Sequence, residues 1–178
     1  IGHGALESQS MGNNVSFNTA VGFGSGGAIS SGQSNTVIGY NSGTFISTGA
    51  ANTFVGAAAG TGITGTRITG SNNTAIGQAA GEDLRAAANN NTFVGKESGT
   101  SATTSGLNTF LGSGAGLLTT SSGNNTMVGG EAGPAVLGTN NTGVGVGCLT
   151  LCTGSLNTTL GVSSGIAITS GDSNLMIG

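Results

Sequence analysis

The motif Asn-Thr-x-[Val/Ile/Leu]-Gly recurs along this 178-residue chain every 16 to 21 residues, so the sequence is one short unit written ten times. Its Asn residues are Asn18, Asn35, Asn52, Asn73, Asn91, Asn108, Asn125, Asn141, Asn157 and Asn174. A fixed period of this size marks a repeat architecture, in which each unit buries its apolar side against the next. A helical repeat needs more than about thirty residues per unit, and no segment keeps an apolar 3.6-residue period over three turns. The stretches between motifs, such as Ser30–Ser34 and Thr119–Gly123, have turn chemistry and little helix propensity. Two short strands and two turns consume one such unit. The expected fold is therefore an all-β parallel β-solenoid, or β-roll, of about ten coils stacked about 4.8 Å apart, in a single repeat domain over 1–178.

Within the unit, positions can be counted from the Asn. Thr follows it in nine of ten copies, with Leu175 the exception. Three places on, an aliphatic residue never fails: Val21, Ile38, Val55, Ile76, Val94, Leu111, Val128, Val144, Leu160 and Ile177. This strictness predicts a ladder filling the coil interior. Gly comes next every time, from Gly22 to Gly178, which predicts a corner where positive φ or close backbone approach excludes a Cβ. Three places further lies a small residue, as in Ser25, Ala59 and Cys148, expected at a second tight, inward-facing corner. The residue two places after the Asn varies. Strand alternation sets it opposite the aliphatic ladder, so Val37, Phe54, Phe93, Phe110, Met127 and Met176 are expected outside, as a stripe through which copies of the chain associate.

Units such as Asn35-Thr36-Val37-Ile38-Gly39-Tyr40-Asn41-Ser42-Gly43 and Asn108-Thr109-Phe110-Leu111-Gly112-Ser113-Gly114-Ala115-Gly116 resemble the repeats of bacteriophage tail-fibre shafts and of trimeric autotransporter adhesin heads. The resemblance spans essentially the whole chain. It implies a left-handed parallel β-roll, three of which pack into a homotrimeric fibre that attaches a virus or a bacterium to a surface. The adhesin heads carry a shorter repeat worded Ser-x-Ala-[Ile/Val]-Gly, so the phage type is nearer. On this reading the chain is extracellular or on the virion surface, with the bacterial outer surface as the alternative. Its partners are further copies of itself, flanking fibre domains and a cell-surface carbohydrate or protein receptor. Ile1-Gly2 has the phase of Ile177-Gly178, which suggests a slice of a longer fibre, or a subunit that stacks end to end, without a folded cap in 1–17 or 165–178.

Chemical readings find little support in the residues. Gly22-Phe23-Gly24-Ser25-Gly26-Gly27 satisfies G-x-G-x-x-G but lacks the strand, helix and acidic residue of a dinucleotide site. Cys148 fills the small-residue position, and neither it nor Cys152 has the neighbours of a zinc site, so both are read as free structural thiols. The sole His3 is about seven coils from either Cys, too far for a nucleophile and its base. Glu7, Glu82, Asp83, Glu97, Glu131 and Asp172 fall at different phases of the unit, unlike the repeated Asp of calcium-binding solenoids. No catalytic, cofactor or metal residues are assigned, and no enzyme is expected. With net charge −3 and Arg67, Arg85 and Lys96 dispersed, nucleic-acid binding is disfavoured. No stretch of about twenty apolar residues suits a membrane.

Two features remain for recognition. The long unit between Asn52 and Asn73 carries extra residues at 61–71, and its neighbour carries charges within 82–90. These are the candidate protruding loops, with Arg67, Glu82, Asp83 and Arg85 as candidate receptor contacts. The Thr column raises an ice-binding alternative, since regular Thr arrays can order water. It is set second because the site two places on is usually apolar and variable, and a second matching Thr column is missing.

Overall fold

The computed structural model describes residues 2–8 and 16–178. Ten three-residue strands, each beginning at the residue after a motif Asn, stack into one parallel sheet in chain order. They are β1 (Thr19–Val21), β2 (Thr36–Ile38), β3 (Thr53–Val55), β4 (Thr74–Ile76), β5 (Thr92–Val94), β6 (Thr109–Leu111), β7 (Thr126–Val128), β9 (Thr142–Val144), β11 (Thr158–Leu160) and β12 (Leu175–Ile177). Register is kept throughout, so that aliphatic lies on aliphatic in every pair and Thr on Thr from Thr19↔Thr36 until Thr158 meets Leu175. The chain is an all-β parallel β-solenoid of about nine coils, with no helix among the described residues. On the opposite wall only β8 (Ala135–Val136) and β10 (Leu151–Cys152) pair as strands, with single bridges such as Ile46↔Ile68 elsewhere. Residues 165–178 complete the last coil and end on β12. The expectation that 1–17 holds no folded cap falls in part, at 1 and 9–15, outside the described residues.

The interior is the reverse of the one expected. The variable column is buried: Val37, Phe54, Phe93, Phe110 and Met127 are wholly enclosed, and Met176, in the last strand, is half-buried. The aliphatic column looks outward. Val21, Ile38, Ile76, Leu111, Leu160 and Ile177 are exposed, Leu111 at 47%, and Val55, Val94, Val128 and Val144 are half-buried. Alternation along a strand allows only one of the two adjacent columns inside. The motif Asn decides which one. It lies two places before the variable residue, on the same side of the backbone, and it must be inside.

From Asn35 to Asn174, each backbone N–H in this column donates to Oδ1 of the Asn one coil before, at 2.8–3.1 Å. From Asn18 to Asn157, each Nδ2 donates to a carbonyl near the end of its own coil, at 2.8–3.1 Å, as in Asn35 to Gly49 and Asn108 to Ser122. One amide thus closes its coil and hangs the next coil on it. Asn35 through Asn157 are buried, so each lost partner would leave a polar group unpaired in a dry interior, at about 1–3 kcal/mol. The residue before each motif Asn has φ between 44° and 62°. Asn tolerates that left-handed conformation better than most side chains, which accounts for the Asn-Asn doublets at Asn72, Asn90, Asn124 and Asn140.

Two further columns line the interior. The small residues are buried as expected, and the hydroxyls of Ser25, Ser42 and Ser98 donate to the carbonyls of Val37, Phe54 and Phe110 in the following coil. The fourth column was missed by the sequence reading. Ile29, Ile46, Ile68, Leu84, Ala102, Thr119, Val136, Cys152 and Ile168 form it, all buried. The corner glycines meet both stated requirements: their φ runs from 130° to 142°, and a Cβ on Gly22 would land on the carbonyl oxygen of Gly39.

Within this thin interior, volume is shared between positions of one coil. In most coils a side chain at the variable position is matched by Gly six places later, and a Cβ on Gly99 would come within 2.7 Å of the Phe93 ring. The Asn141 coil does the opposite. Its variable residue is Gly143, and Leu149 stands in the Gly position, fully buried at φ 46°. A Cβ on Gly143 would sit 3.3 Å from Leu149 Cδ1 and 2.9 Å from both Met127 Sδ and Cys148 Sγ. Leu149 therefore fills the space that Gly143 vacates.

Phe110→Ala is expected to cost about 3–5 kcal/mol in denaturant unfolding, whereas Leu111→Ala, on the outer face, should cost about 1 kcal/mol or less in the dissociated chain. Leu149→Gly should cost about 3 kcal/mol or more. Adding Gly143→Leu should recover at least 1 kcal/mol of that, although alone it overpacks the same site, so the double-mutant cycle is expected to show strong coupling.

Candidate functional site

Because Asn and the variable residue point inward, Thr and the aliphatic residue share the outer face of the ten-stranded sheet. The face is two columns wide: Thr19, Thr36 and their successors on one side, Val21, Ile38 and theirs on the other. No charged side chain interrupts either column. In-register parallel pairing makes the two columns regular at the strand spacing of about 4.8 Å. The stripe expected for self-association, Val37, Phe54, Phe93, Phe110, Met127 and Met176, is thus not on the surface. The residues expected to form the core ladder occupy that surface instead.

The structure brings the two candidate loops together. Gly62 N–H donates to Glu82 O at 2.8 Å, and the Thr69 N–H and hydroxyl both donate to Ala86 O. Neither loop stands off as a whole. Ile63 and Thr66 bridge as a small hairpin whose tip, Thr64 and Gly65, is exposed, and the chain then re-enters the stack at buried Ile68. Residues 82–90 run in the coil wall, with Leu84 buried and the Asp83 and Arg85 N–H groups bonded to the Thr100 and Thr103 carbonyls. Arg67 is exposed, and its Nη1 reaches back to Ala28 O at 3.2 Å. Arg85 has its Nε enclosed without a hydrogen-bond partner. Of the four candidate receptor contacts, Arg67 is thus tied to the body of the solenoid, and Arg85 is half-buried in the wall.

Glu82 and Asp83 are half-buried neighbours. The Glu82 carboxyl is pushed above the ordinary carboxylate range, first by burial and then by the negative charges of Asp83 and Glu97. Glu97 itself is paired with Lys96 at 3.2 Å on the surface. Cys148 and Cys152 are free and buried, and burial raises both thiols, which suits packing rather than reaction. Among the described residues, no three His, Cys, Asp or Glu side chains gather as a metal site would require.

One exposed cluster had no place in the sequence reading. The residue following each corner Gly forms its own column, which begins His3, Phe23, Tyr40, Ala57 and Gln78. The first three rings stack on one another, with centroids 5.4 Å and 5.7 Å apart and planes within 16°. The signal was present as three ring-bearing residues at one phase of consecutive units.

Comparison with protein-family models, with curated proteins and with solved structures returns no match for this chain. Its class therefore rests on its own repeat and geometry: a parallel β-solenoid with one flat, uncharged outer face.

Glu82 holds its proton more tightly in the folded chain, so its contribution favours folding at low pH and is lost as pH rises through its folded value. Glu82→Gln is expected to raise Tm slightly at neutral pH, and the two melting curves should converge near pH 4 in a pH series of calorimetric scans.

Proposed function

We propose that this chain is a structural and adhesive fibre segment that associates with copies of itself, three about a common axis, through the Thr and aliphatic columns of the ten-stranded sheet. The supporting observation is the outward aliphatic column itself. Each coil from Val21 to Ile177 presents one such side chain on a flat face, forming an unbroken apolar stripe of a kind that soluble monomers rarely expose. Covering it recovers about 25 cal/mol per Å² of apolar area, and a coil with so small an interior has few other sources of stability. Parallel in-register strands also suit a rotational assembly, because every coil offers the same pair of side chains at the same height. The number three comes from the resemblance of the repeats to those of trimeric fibres. The phage tail-fibre shaft is the preferred member of that class, and the bacterial surface adhesin head is the alternative.

A second reading has an observation of its own. The objection to an ice-binding role was the lack of a second matching Thr column, and that objection stands. In its favour, the Thr column lies on the outer face, with a regular aliphatic column beside it at the same spacing. A lone flat-faced solenoid of this kind would order water instead of binding its own copies.

Light scattering separates the two. The fibre reading expects a native mass near three times 16.8 kDa. Replacing Val94 and Leu111 together by Glu should dissociate the particle at least about tenfold more readily, because each buried charge costs several kcal/mol, while circular dichroism stays that of a β-solenoid. A monomeric mass with thermal hysteresis would replace the fibre by the ice-binding reading.

A further inference from the structure

We propose that the exposed face of Tyr40, with the step above Ala57, is a binding site for a neutral pyranose residue of a surface glycan. This deepens the adhesive reading and rests on it for the biological setting, but its geometry is independent of the flat face, from which the corner at Gly39 separates it.

The site follows from what succeeds what in one column. Coil-to-coil hydrogen bonds fix the order: Asn41 N–H to Phe23 O, Ala58 N–H to Tyr40 O, Ala79 N–H to Ala57 O, and Glu97 N–H to Gln78 O, at 2.8–2.9 Å. Phe23 is covered on one face by His3 and on the other by Tyr40. Tyr40 is covered by Phe23 on one face only. On its other side the column continues with Ala57, a single exposed methyl, and resumes a long side chain at exposed Gln78. Two coil heights, about 9.6 Å, separate the levels of Tyr40 and Gln78. A saturated six-membered ring stacked about 4 Å from Tyr40 fits that interval and leaves room for the amide of Gln78 to reach its hydroxyls. Tyr40 is 60% exposed, although an aromatic ring of this size normally finds cover.

The chemistry selects the ligand class. The electron-rich face of an aromatic ring attracts the weakly positive C–H groups of a pyranose, and stacking on Phe23 and His3 holds that face rigid. Gln78 offers both a donor and an acceptor, which is what a hydroxyl needs. No free cation serves a phosphate or sulfate, because the next residue in the column, Lys96, is paired with Glu97. An added peptide strand would need free carbonyls as well as N–H groups, and the carbonyls of Phe23, Tyr40, Ala57 and Gln78 already accept from the next coil. A neutral sugar satisfies all these conditions.

The protein carries one Tyr and no Trp, so its ultraviolet emission reports on this site alone. The native assembly would be titrated with maltotriose, mannotriose, chitotriose and lactose. At least one is expected to change Tyr40 emission saturably, with Kd between about 0.1 and 10 mM. Ala57→Leu, which fills the step, should weaken that sugar at least about tenfold, and Gln78→Ala about threefold, with circular dichroism and native mass unchanged. A lack of saturable response to all four sugars up to about 50 mM overturns the proposal, as does undiminished affinity in Ala57→Leu or a response to adenosine monophosphate in place of the sugars. Native mass keeps the two readings apart. A particle that retains its mass but ignores sugar loses only the glycan site, and one that binds sugar as a monomer loses only the fibre.

Discussion

The buried Asn ladder is the constraint on which the rest of the solenoid depends. A coil of 16 to 21 residues is mostly backbone, and a backbone turning corners inside a narrow interior leaves amides and carbonyls that no ladder strand satisfies. The side-chain amide of each motif Asn supplies both a donor and an acceptor at the one place where a coil must close and the next begin. Once those amides are committed to the interior, strand alternation sends the variable residue in with them and turns Thr and the aliphatic residue out. The polar column thereby dictates where the apolar ones go.

That order of causes explains what was legible in the sequence. The period, the corner glycines and the small residues gave the stacked coils directly, because each is required wherever two backbones meet at close range, as Gly22 meets Gly39. The facing of the strands was misread because constancy at Val21, Ile38 and their counterparts was equated with burial. Burial here permits variety: Ala75 lies between Phe54 and Phe93 in the same column, and Gly143 is matched by Leu149. The signal that would have decided the matter was the Asn, constant in every unit and in phase with the variable residue. The fourth interior column was less visible because it mixes Ile, Leu, Ala, Thr, Val and Cys, and the insertion shifts Ile68 out of phase.

The surface was legible in a different measure. Charge drew attention to residues 61–71 and 82–90, which do meet in space, yet hydrogen bonds draw most of both segments into the wall. The aromatic column is electrically silent and emerges only when Phe23 is seen stacked between His3 and Tyr40. In a chain with three basic and six acidic residues, the order of the surface lies in its repeated columns and not in its charges.

The way one Asn hands its Oδ1 to the next has a genetic consequence. The acceptor requires only that another Asn follow in register, whichever copy it belongs to, so unequal crossing-over between units would insert or excise whole coils without disturbing those on either side. The exchange between Gly143 and Leu149 also leans on Met127 of the coil before, so a unit moved by such an event would carry its packing intact only beside a neighbour of similar size. The whole coil is therefore the increment by which such a stack can lengthen or shorten, while substitutions inside a coil stay tied to their neighbours.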